Sequence, residues 1–80
     1  MPTVFWRGPY RFFFVSIDCP EPPHIHVKRE RKTAKFWLDP LSVAREGGFS
    51  RTEINTIVKL VAENQAELLE RWHEFCGTGT

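Results

Sequence analysis

Two short segments near the middle of the chain alternate apolar and polar side chains, and they constrain the fold more than any other feature. The segments cover residues 24–28 and 33–38, and their apolar members are Ile25, Val27, Ala34, Phe36 and Leu38. Alternation with a period of two is typical of β-strands that bury one face. An antiparallel hairpin brings both apolar sets to one face only if its loop has an even number of residues. We therefore predict a hairpin with a four-residue loop over residues 29–32.

This pairing also predicts which side chains gather on the opposite, polar face of the sheet. His24 and His26 lie two residues apart, so both leave the strand on the same side. The pairing puts His26 opposite Lys35 and His24 opposite Trp37. Because one long helix can cover only one face of a small sheet, we expect the histidine-bearing face to be left to solvent, to a loop or to a partner.

Another hairpin is predicted at the start of the chain. Residues 3–7 and 10–17 are rich in β-branched and aromatic side chains, and Gly8-Pro9 between them is a strong turn signal. Residues 18–23 then break the pattern, because three of positions 20–23 are prolines. Prolines at this density force an extended connection that cannot join a β-ladder.

Helical signals follow the second hairpin. Asp39-Pro40 is typical of an N-cap followed by a proline at the first helical position, so we predict a short helical turn over residues 41–45. Ser50-Arg51-Thr52-Glu53 is a capping box that begins the main helix, which runs to about residue 75 and carries one apolar stripe. Gln65 projects from this stripe, so it needs a hydrogen-bond partner such as a carbonyl at a sheet edge or in a loop.

The predicted fold is a single α+β domain over residues 1–80. It consists of an antiparallel four-stranded sheet of two hairpins, one long C-terminal helix packed on one face, and a short helical turn before that helix. Eighty residues leave room for one core, and an aromatic content of 14% supplies large buried areas. A disulfide is not required on this reasoning, and the spacing of Cys19 and Cys76 indicates no metal or redox motif. We expect two free thiols in a reducing cytoplasm.

No targeting or membrane segment is predicted. The longest apolar run covers residues 12–15, far fewer than the ~20 residues that span a bilayer. The first residues also lack the basic region of a secretory signal. In addition, Arg7 and Arg11 interrupt the apolar stretch that follows. We expect a cytoplasmic protein that does not interact with membranes.

Charge is distributed unevenly along the chain although the net charge is only +1. Residues 1–45 carry eight Lys or Arg against four Asp or Glu, and residues 46–80 carry three against six. A basic sheet half could bind an anionic ligand, and the alternative is two solvated faces of opposite sign. The candidate binding residues are Arg7, Arg11, Arg29, Arg31, Lys32 and Trp37. The basic hairpin tip has a simpler interpretation as a charged turn that keeps the sheet soluble.

The histidine pair is compatible with three kinds of site. A metal site would need a third ligand, and the candidates are Cys19, Glu21, Asp39 and His73. Metal-independent acid–base chemistry on RNA would use both imidazoles, with a lysine stabilising the phosphorane and Trp37 stacking a base. A structural role would leave the histidines to cap the Pro-rich loop or pack on Trp37. We predict no metal and no cofactor, and the candidate catalytic residues are His24, His26, Lys28 and Lys35.

Several segments of the chain resemble a small bacterial family, the domain-of-unknown-function family 4160. The resemblance is carried by residues 1–4, 10–14, 34–38, 48–50 and 68–75, and most specifically by Glu21-Pro22-Pro23-His24-Ile25-His26-Val27. It implies membership of a two-gene module in which another short domain is encoded nearby. Such pairs have been proposed as toxin–antitoxin systems, so the resemblance implies a small cognate protein partner and RNA as a target.

The resulting functional hypothesis is a component of a bacterial toxin–antitoxin-like module, more specifically the toxin half. It would act on RNA or the translation machinery through the His24, His26, Lys28, Lys35 and Trp37 face, and a metal-independent ribonuclease-like activity is one form of this action. The alternative is a non-catalytic, antitoxin-like module that binds protein or nucleic acid. A homodimer that closes the polar face is a further arrangement that the sequence leaves open.

Overall fold

The computed structural model describes residues 3–77, so Met1 and Pro2 of the resemblance lie outside the described residues. The strands are β1 (Thr3–Arg7), β2 (Tyr10–Phe13), β3 (His24–Arg29), β4 (Lys32–Leu38) and β5 (Leu41–Arg45). The helices are a 3₁₀ turn (Ser16–Asp18), α1 (Arg51–Glu63) and α2 (Gln65–Cys76). The strands form one sheet in the order β1-β2-β3-β4-β5, and every neighbouring pair is antiparallel. The α+β class is therefore confirmed, with five strands and two helices.

The register of the central hairpin is the predicted one. His24 lies opposite Trp37 and His26 lies opposite Lys35. The loop is shorter than expected, because Arg29 and Lys32 also pair and leave only two residues to turn the chain. Glu30 makes this turn with φ of 57°, a left-handed conformation that a two-residue loop needs and that glycine usually supplies. The apolar sets still share a face because two, like four, is an even number.

The predicted helical turn over residues 41–45 is wrong, because these residues form β5. Leu41 pairs with Leu38, and Asp39 and Pro40 make the turn between the two strands. An Asp-Pro dipeptide serves equally well in a turn and at a helix start, so the local signal was ambiguous. The deciding factor is β4, whose outer edge would otherwise leave a row of unpaired backbone groups. The expected four-stranded sheet therefore gains a fifth strand.

The return from β5 to the helices requires glycine at one position. Gly47 has φ of 65°, and a Cβ added there would collide with the backbone carbonyl of Thr33 in β4. Any other residue would have to push this loop away from the sheet. The loop delivers the chain to Ser50, whose hydroxyl accepts a hydrogen bond from the backbone N–H of Glu53 at 3.1 Å. The predicted N-cap is confirmed.

The helical region is divided where one continuous helix was expected. Asn64 has φ of −112° and ψ of 12°, which ends α1 and lets α2 begin at the next residue. Its side-chain amide donates to the carbonyl oxygen of Leu60 at 2.7 Å, and its side-chain oxygen accepts from Arg7 at 3.3 Å. A side chain that bonds a carbonyl four residues earlier competes with the helical ladder, so the break coincides with this asparagine.

Gln65 finds the kind of partner that its position in the apolar stripe demanded. Its side-chain amide donates a hydrogen bond to the backbone carbonyl of Leu38 at 2.6 Å. Leu38 is the last residue of β4, so this bond ties the start of α2 to the end of the sheet. The polar group thereby avoids the free-energy penalty of an unpaired amide in an apolar environment.

The core lies between one face of the sheet and the two helices. The apolar alternation of the central hairpin is buried there completely, as predicted, and includes Ile25, Val27, Ala34, Phe36 and Leu38. The helices contribute Ile54, Ile57, Val61, Leu68 and Trp72 to the same cluster. Burying a large aliphatic or aromatic side chain contributes about 1.5–3 kcal/mol, so these residues carry much of the folding free energy. In the described part of the chain, neither helix is long and apolar enough to cross a membrane.

The prediction of two free thiols is wrong. Cys19 and Cys76 form a disulfide, with their Cα atoms 5.6 Å apart and a sequence separation of 57 residues. The bridge joins the segment after the 3₁₀ turn to the last residue of α2. Spacing along the chain could not reveal this pair, because only the packing of α2 brings its end to that segment.

Candidate functional site

The segment between β2 and β3 folds over one end of the polar sheet face. β2 ends at Phe13, earlier than predicted, and the chain turns through Ser16–Asp18. Backbone hydrogen bonds hold this turn, since the N–H of Asp18 donates to the carbonyl of Val15 at 3.0 Å. At the far end, the N–H of Leu38 donates to the carbonyl of Pro23 at 3.0 Å. The segment is therefore held at its far end by β4, the neighbour of the strand that carries the histidines.

The carboxylate of Asp18 meets both histidines of β3. Its Oδ2 atom lies 3.0 Å from Nε2 of His24 and 2.8 Å from Nε2 of His26. His24 is fully buried and His26 is 8% exposed. The histidine-bearing face was expected to be left to solvent, a loop or a partner, and at this end the loop covers it. We call Asp18, His24 and His26 the Asp-His-His cluster.

Aromatic rings enclose the buried imidazoles. The ring centroid of His24 lies 5.6 Å from that of Trp37 and 4.9 Å from that of Trp72 on α2. The ring of His26 stacks on Phe13 at 5.3 Å. The histidines therefore pack against aromatic side chains of β2, β4 and α2.

The hydrogen bonds of His24 require a proton or a metal ion between its ring and Asp18. Nδ1 of His24 lies 2.9 Å from the carbonyl oxygen of Pro22, which can only accept, so Nδ1 carries a proton. In the neutral ring Nε2 then has no proton and carries a lone pair. This lone pair would face the Oδ2 oxygen of Asp18, which is also an acceptor. Two acceptor atoms are stable at this distance only with a proton or a metal ion between them.

Burial and hydrogen bonding act in opposite directions on the titrating groups of the cluster. Burial is the largest single influence and raises the pKa of Asp18, but the hydrogen bonds and charge interactions with His26 and His24 together outweigh it, so the pKa lies below its ordinary value. Burial lowers the pKa of His26 by more than the hydrogen bond to Asp18 raises it. The cluster therefore favours an ionised carboxylate beside a neutral His26.

The cluster is also the one group in the described residues whose His, Cys, Asp and Glu side chains could hold a metal ion. Its three ligand atoms all lie within 4.8 Å of one another. The third ligand is Asp18, which was not among the sequence candidates Cys19, Glu21, Asp39 and His73. Cys19 is in the disulfide and has no thiolate to offer. Asp18 was missed because it sits in a Pro-rich break, where pattern rules give no side-chain direction.

The candidate catalytic lysines lie on the same face but not in the cluster. Lys28 is exposed. Lys35 is half-buried, and its ammonium donates to Oε1 of Glu21 at 2.7 Å and lies 4.6 Å from the ring centroid of Trp37. The Nε2 atoms of both histidines point at Asp18. The predicted residues are therefore neighbours, but they do not present an acid–base pair to solvent.

The open end of the polar face carries a basic groove. Its volume is about 300 Å³, and it is lined by Trp6, Pro9, Arg11, Lys28, Arg29 and Glu30. Trp6 is 60% exposed and was not among the candidate binding residues. The first hairpin could have indicated Trp6 as a binding residue, because the pairing of β1 with β2 places Trp6 beside Arg11 on the polar face.

The other candidate binding residues have different surroundings. Arg7 lies over the ring of Phe5 at 3.8 Å and donates to Asn64, so it fastens β1 to the helices. Arg31 and Lys32 are exposed at the hairpin tip. Trp37 lies beneath Lys35 at the closed end of the face. Of the candidate binding residues, Arg11 and Arg29 line the groove. The remaining candidates, Arg7, Arg31, Lys32 and Trp37, do not line it.

Comparison with known proteins gives a family and no function. No curated protein and no solved structure matches the chain. Residues 10–73 match the family model described as "Domain of unknown function (DUF4160)". This match covers β2 to β5, the Asp-His-His cluster, all of α1 and α2 as far as His73. The chain therefore belongs to the DUF4160 family.

Proposed function

We propose that this protein is a component of a bacterial toxin–antitoxin-like two-gene module and binds RNA through the basic groove. The observation that carries the proposal is Trp6, a large aromatic side chain that is 60% exposed beside Arg11 and Lys28, with Arg29, which is ion-paired with Glu53, lining the same groove. Isolated exposed apolar residues are ordinary on protein surfaces, but this one borders a concave surface rich in positive charge.

The strand register supports the proposal by placing the groove residues in one row. Trp6 pairs with Arg11, and Arg11 pairs with Lys28, so the row crosses three adjacent strands. Neighbouring strands lie about 4.8 Å apart, so the row is roughly 10 Å wide on a rigid support. An exposed ring can stack an unpaired base, and the adjacent cations can contact the phosphates on either side of it.

The burial of the histidines favours binding over metal-independent cleavage. General acid–base catalysis needs imidazole nitrogens within hydrogen-bond reach of the substrate, and both Nε2 atoms are held by Asp18 instead. The antitoxin-like, non-catalytic alternative therefore gains support relative to a ribonuclease. A small cognate protein partner is part of the same proposal.

Fluorescence anisotropy with a labelled single-stranded RNA of about 12 nucleotides tests RNA binding. Trp6→Ala should weaken binding by roughly tenfold, because stacking one base contributes about 1–3 kcal/mol. Lys28→Ala removes one phosphate contact, so it should reduce the slope of log binding constant against log salt concentration by about 1. Lys59→Ala is the matched control, since Lys59 is an exposed lysine on α1, and it should bind as the unchanged protein does. Absence of RNA binding at low salt, or an unaffected Trp6→Ala variant, would refute the proposal.

Expression in bacteria then separates the toxin role from the antitoxin role. A toxin half should arrest growth, and a Trp6→Ala/Lys28→Ala variant should relieve the arrest while cellular RNA stays intact. If RNA is cleaved and His24→Ala/His26→Ala abolishes the cleavage, the ribonuclease hypothesis holds instead. Normal growth on expression would favour the antitoxin half.

A further inference from the structure

The Asp-His-His cluster directs the Nε2 atoms of two buried histidines at the same oxygen of Asp18, so each of the two contacts needs a proton or a metal ion between its atoms. The carbonyl of Pro22 holds the proton on Nδ1 of His24, so Nε2 of this fully buried ring is directed at an oxygen of Asp18. From this arrangement we propose that Asp18, His24 and His26 bind a divalent transition-metal ion such as Zn²⁺ through Oδ2 and the two Nε2 atoms.

The hydrogen bond behind the site is the one that metal-binding histidines require. A metal-ligating imidazole commonly donates its other N–H to a backbone carbonyl or a carboxylate, which orients the ring and selects the tautomer. Nδ1 of His24 donates in this way to Pro22, only two residues away in the chain. The Pro-rich segment thereby presets the nitrogen that would coordinate the ion.

The distances in the cluster suit a small transition-metal ion. Zn²⁺ binds nitrogen and oxygen at about 2.0–2.2 Å, which puts ligand atoms about 3.3 Å apart in a tetrahedral site. The carboxylate oxygen lies 2.8 and 3.0 Å from the two nitrogens, and the three atoms all lie within 4.8 Å of one another. Binding therefore requires the carboxylate to move back slightly and the two imidazoles to approach each other. Two imidazoles favour Zn²⁺, Fe²⁺ or Co²⁺ over Mg²⁺ and Ca²⁺, which prefer oxygen ligands.

The cluster is largely enclosed, and two of its three ligands are slightly exposed. The side chain of His24 is fully buried, but those of His26 and Asp18 are 10% and 18% exposed. Three protein ligands with access for a fourth are typical of sites that keep a water or an exchangeable ligand. The disulfide of Cys19 holds the residue next to Asp18 against α2, which fixes the third ligand in place.

Metal titration of the chelator-treated protein tests the site without reference to RNA. Calorimetry should show one equivalent of Zn²⁺ bound, Co²⁺ should give the visible absorption of a nitrogen- and oxygen-ligated ion, and Mg²⁺ should not compete. Asp18→Asn should weaken Zn²⁺ binding at least tenfold. His73→Gln, which changes an exposed histidine outside the cluster, is the matched control and should leave the affinity unchanged.

Nitrogen-15 NMR of the histidines in the unchanged protein provides a result that survives any folding failure of the variants. We expect Zn²⁺ to shift the Nε2 signals of His24 and His26 while Nδ1 of His24 stays protonated. Lack of saturable Zn²⁺ binding, equal affinity in Asp18→Asn, or a doubly protonated His24 that does not respond to Zn²⁺ would show an ordinary ion pair and overturn the proposal. RNA binding can fail without affecting these results, so the two proposals are tested separately.

Discussion

Breaking the disulfide between Cys19 and Cys76 should remove a large part of the stability of this protein. The bridge closes a loop with a sequence separation of 57 residues. In the chain-entropy treatment, closing a loop of this length in the unfolded state stabilises the native state by about 4 kcal/mol at 25 °C. Domains of this size have total stabilities of about 4–12 kcal/mol, so the loss is a third or more of the whole. The melting temperature should fall by roughly 15–30 °C.

Urea unfolding followed by circular dichroism measures this effect on one and the same chain, oxidised or reduced with a phosphine. Thiol titration of the denatured protein should find no reactive thiols before reduction and both cysteines after it. The single variants Cys19→Ser and Cys76→Ser separate loop closure from lost side-chain contacts. Because either single variant already opens the loop, the double variant should have nearly the same free energy of unfolding as the single variants. A difference below about 1 kcal/mol between oxidised and reduced protein would refute the loop-entropy reasoning.

Three further predictions concern single side chains. Gln65→Ala should destabilise the protein by about 1–3 kcal/mol in urea unfolding, because it leaves the carbonyl of Leu38 without its donor. Ser50→Ala should cost about 1 kcal/mol and Ser50→Asp should restore most of it, and equal stability of all three proteins would contradict the capping role. The hydrogen bond from Tyr10 is the main cause that holds the pKa of Glu53 below its ordinary value of 4.5. This carboxylate therefore stabilises the fold above pH 4.5 and loses its effect as pH falls through the lowered pKa, so Glu53→Gln should flatten acid unfolding, and an unchanged acid profile would contradict this.

The central hairpin was predictable because its information is local. A strand exposes alternate side chains to opposite faces, so the apolar pattern of residues 24–28 and 33–38 restricts the pairing to even loops. The prediction survived an error in loop length, since the observed two-residue turn has the same parity. The N-cap at Ser50 and the need of Gln65 for a partner were predictable for the same reason, because each depends on its immediate neighbours.

The candidate site was only half predictable. The pattern placed His24 and His26 on one face, opposite Trp37 and Lys35, and the structure shows this arrangement. It could not show that Asp18 closes over both imidazoles, because a Pro-rich connection has no periodicity from which a side-chain direction follows. The expected solvent-facing acid–base pair is therefore a largely enclosed cluster at one end of the face.

The α+β class, the register of the central hairpin, the helix start at Ser50 and the face that the helices cover could all be predicted from the amino-acid sequence. These features follow from side-chain periodicity and capping chemistry, which act over a few residues. The fifth strand, the division of the helix at Asn64, the disulfide and the carboxylate at the histidines became apparent only in the folded protein. The disulfide joins residues 57 positions apart, which meet only after the core has packed. The fifth strand pairs the otherwise open edge of β4, and the carboxylate reaches the histidines because the Pro-rich connection folds back over β3, which no side-chain periodicity predicts.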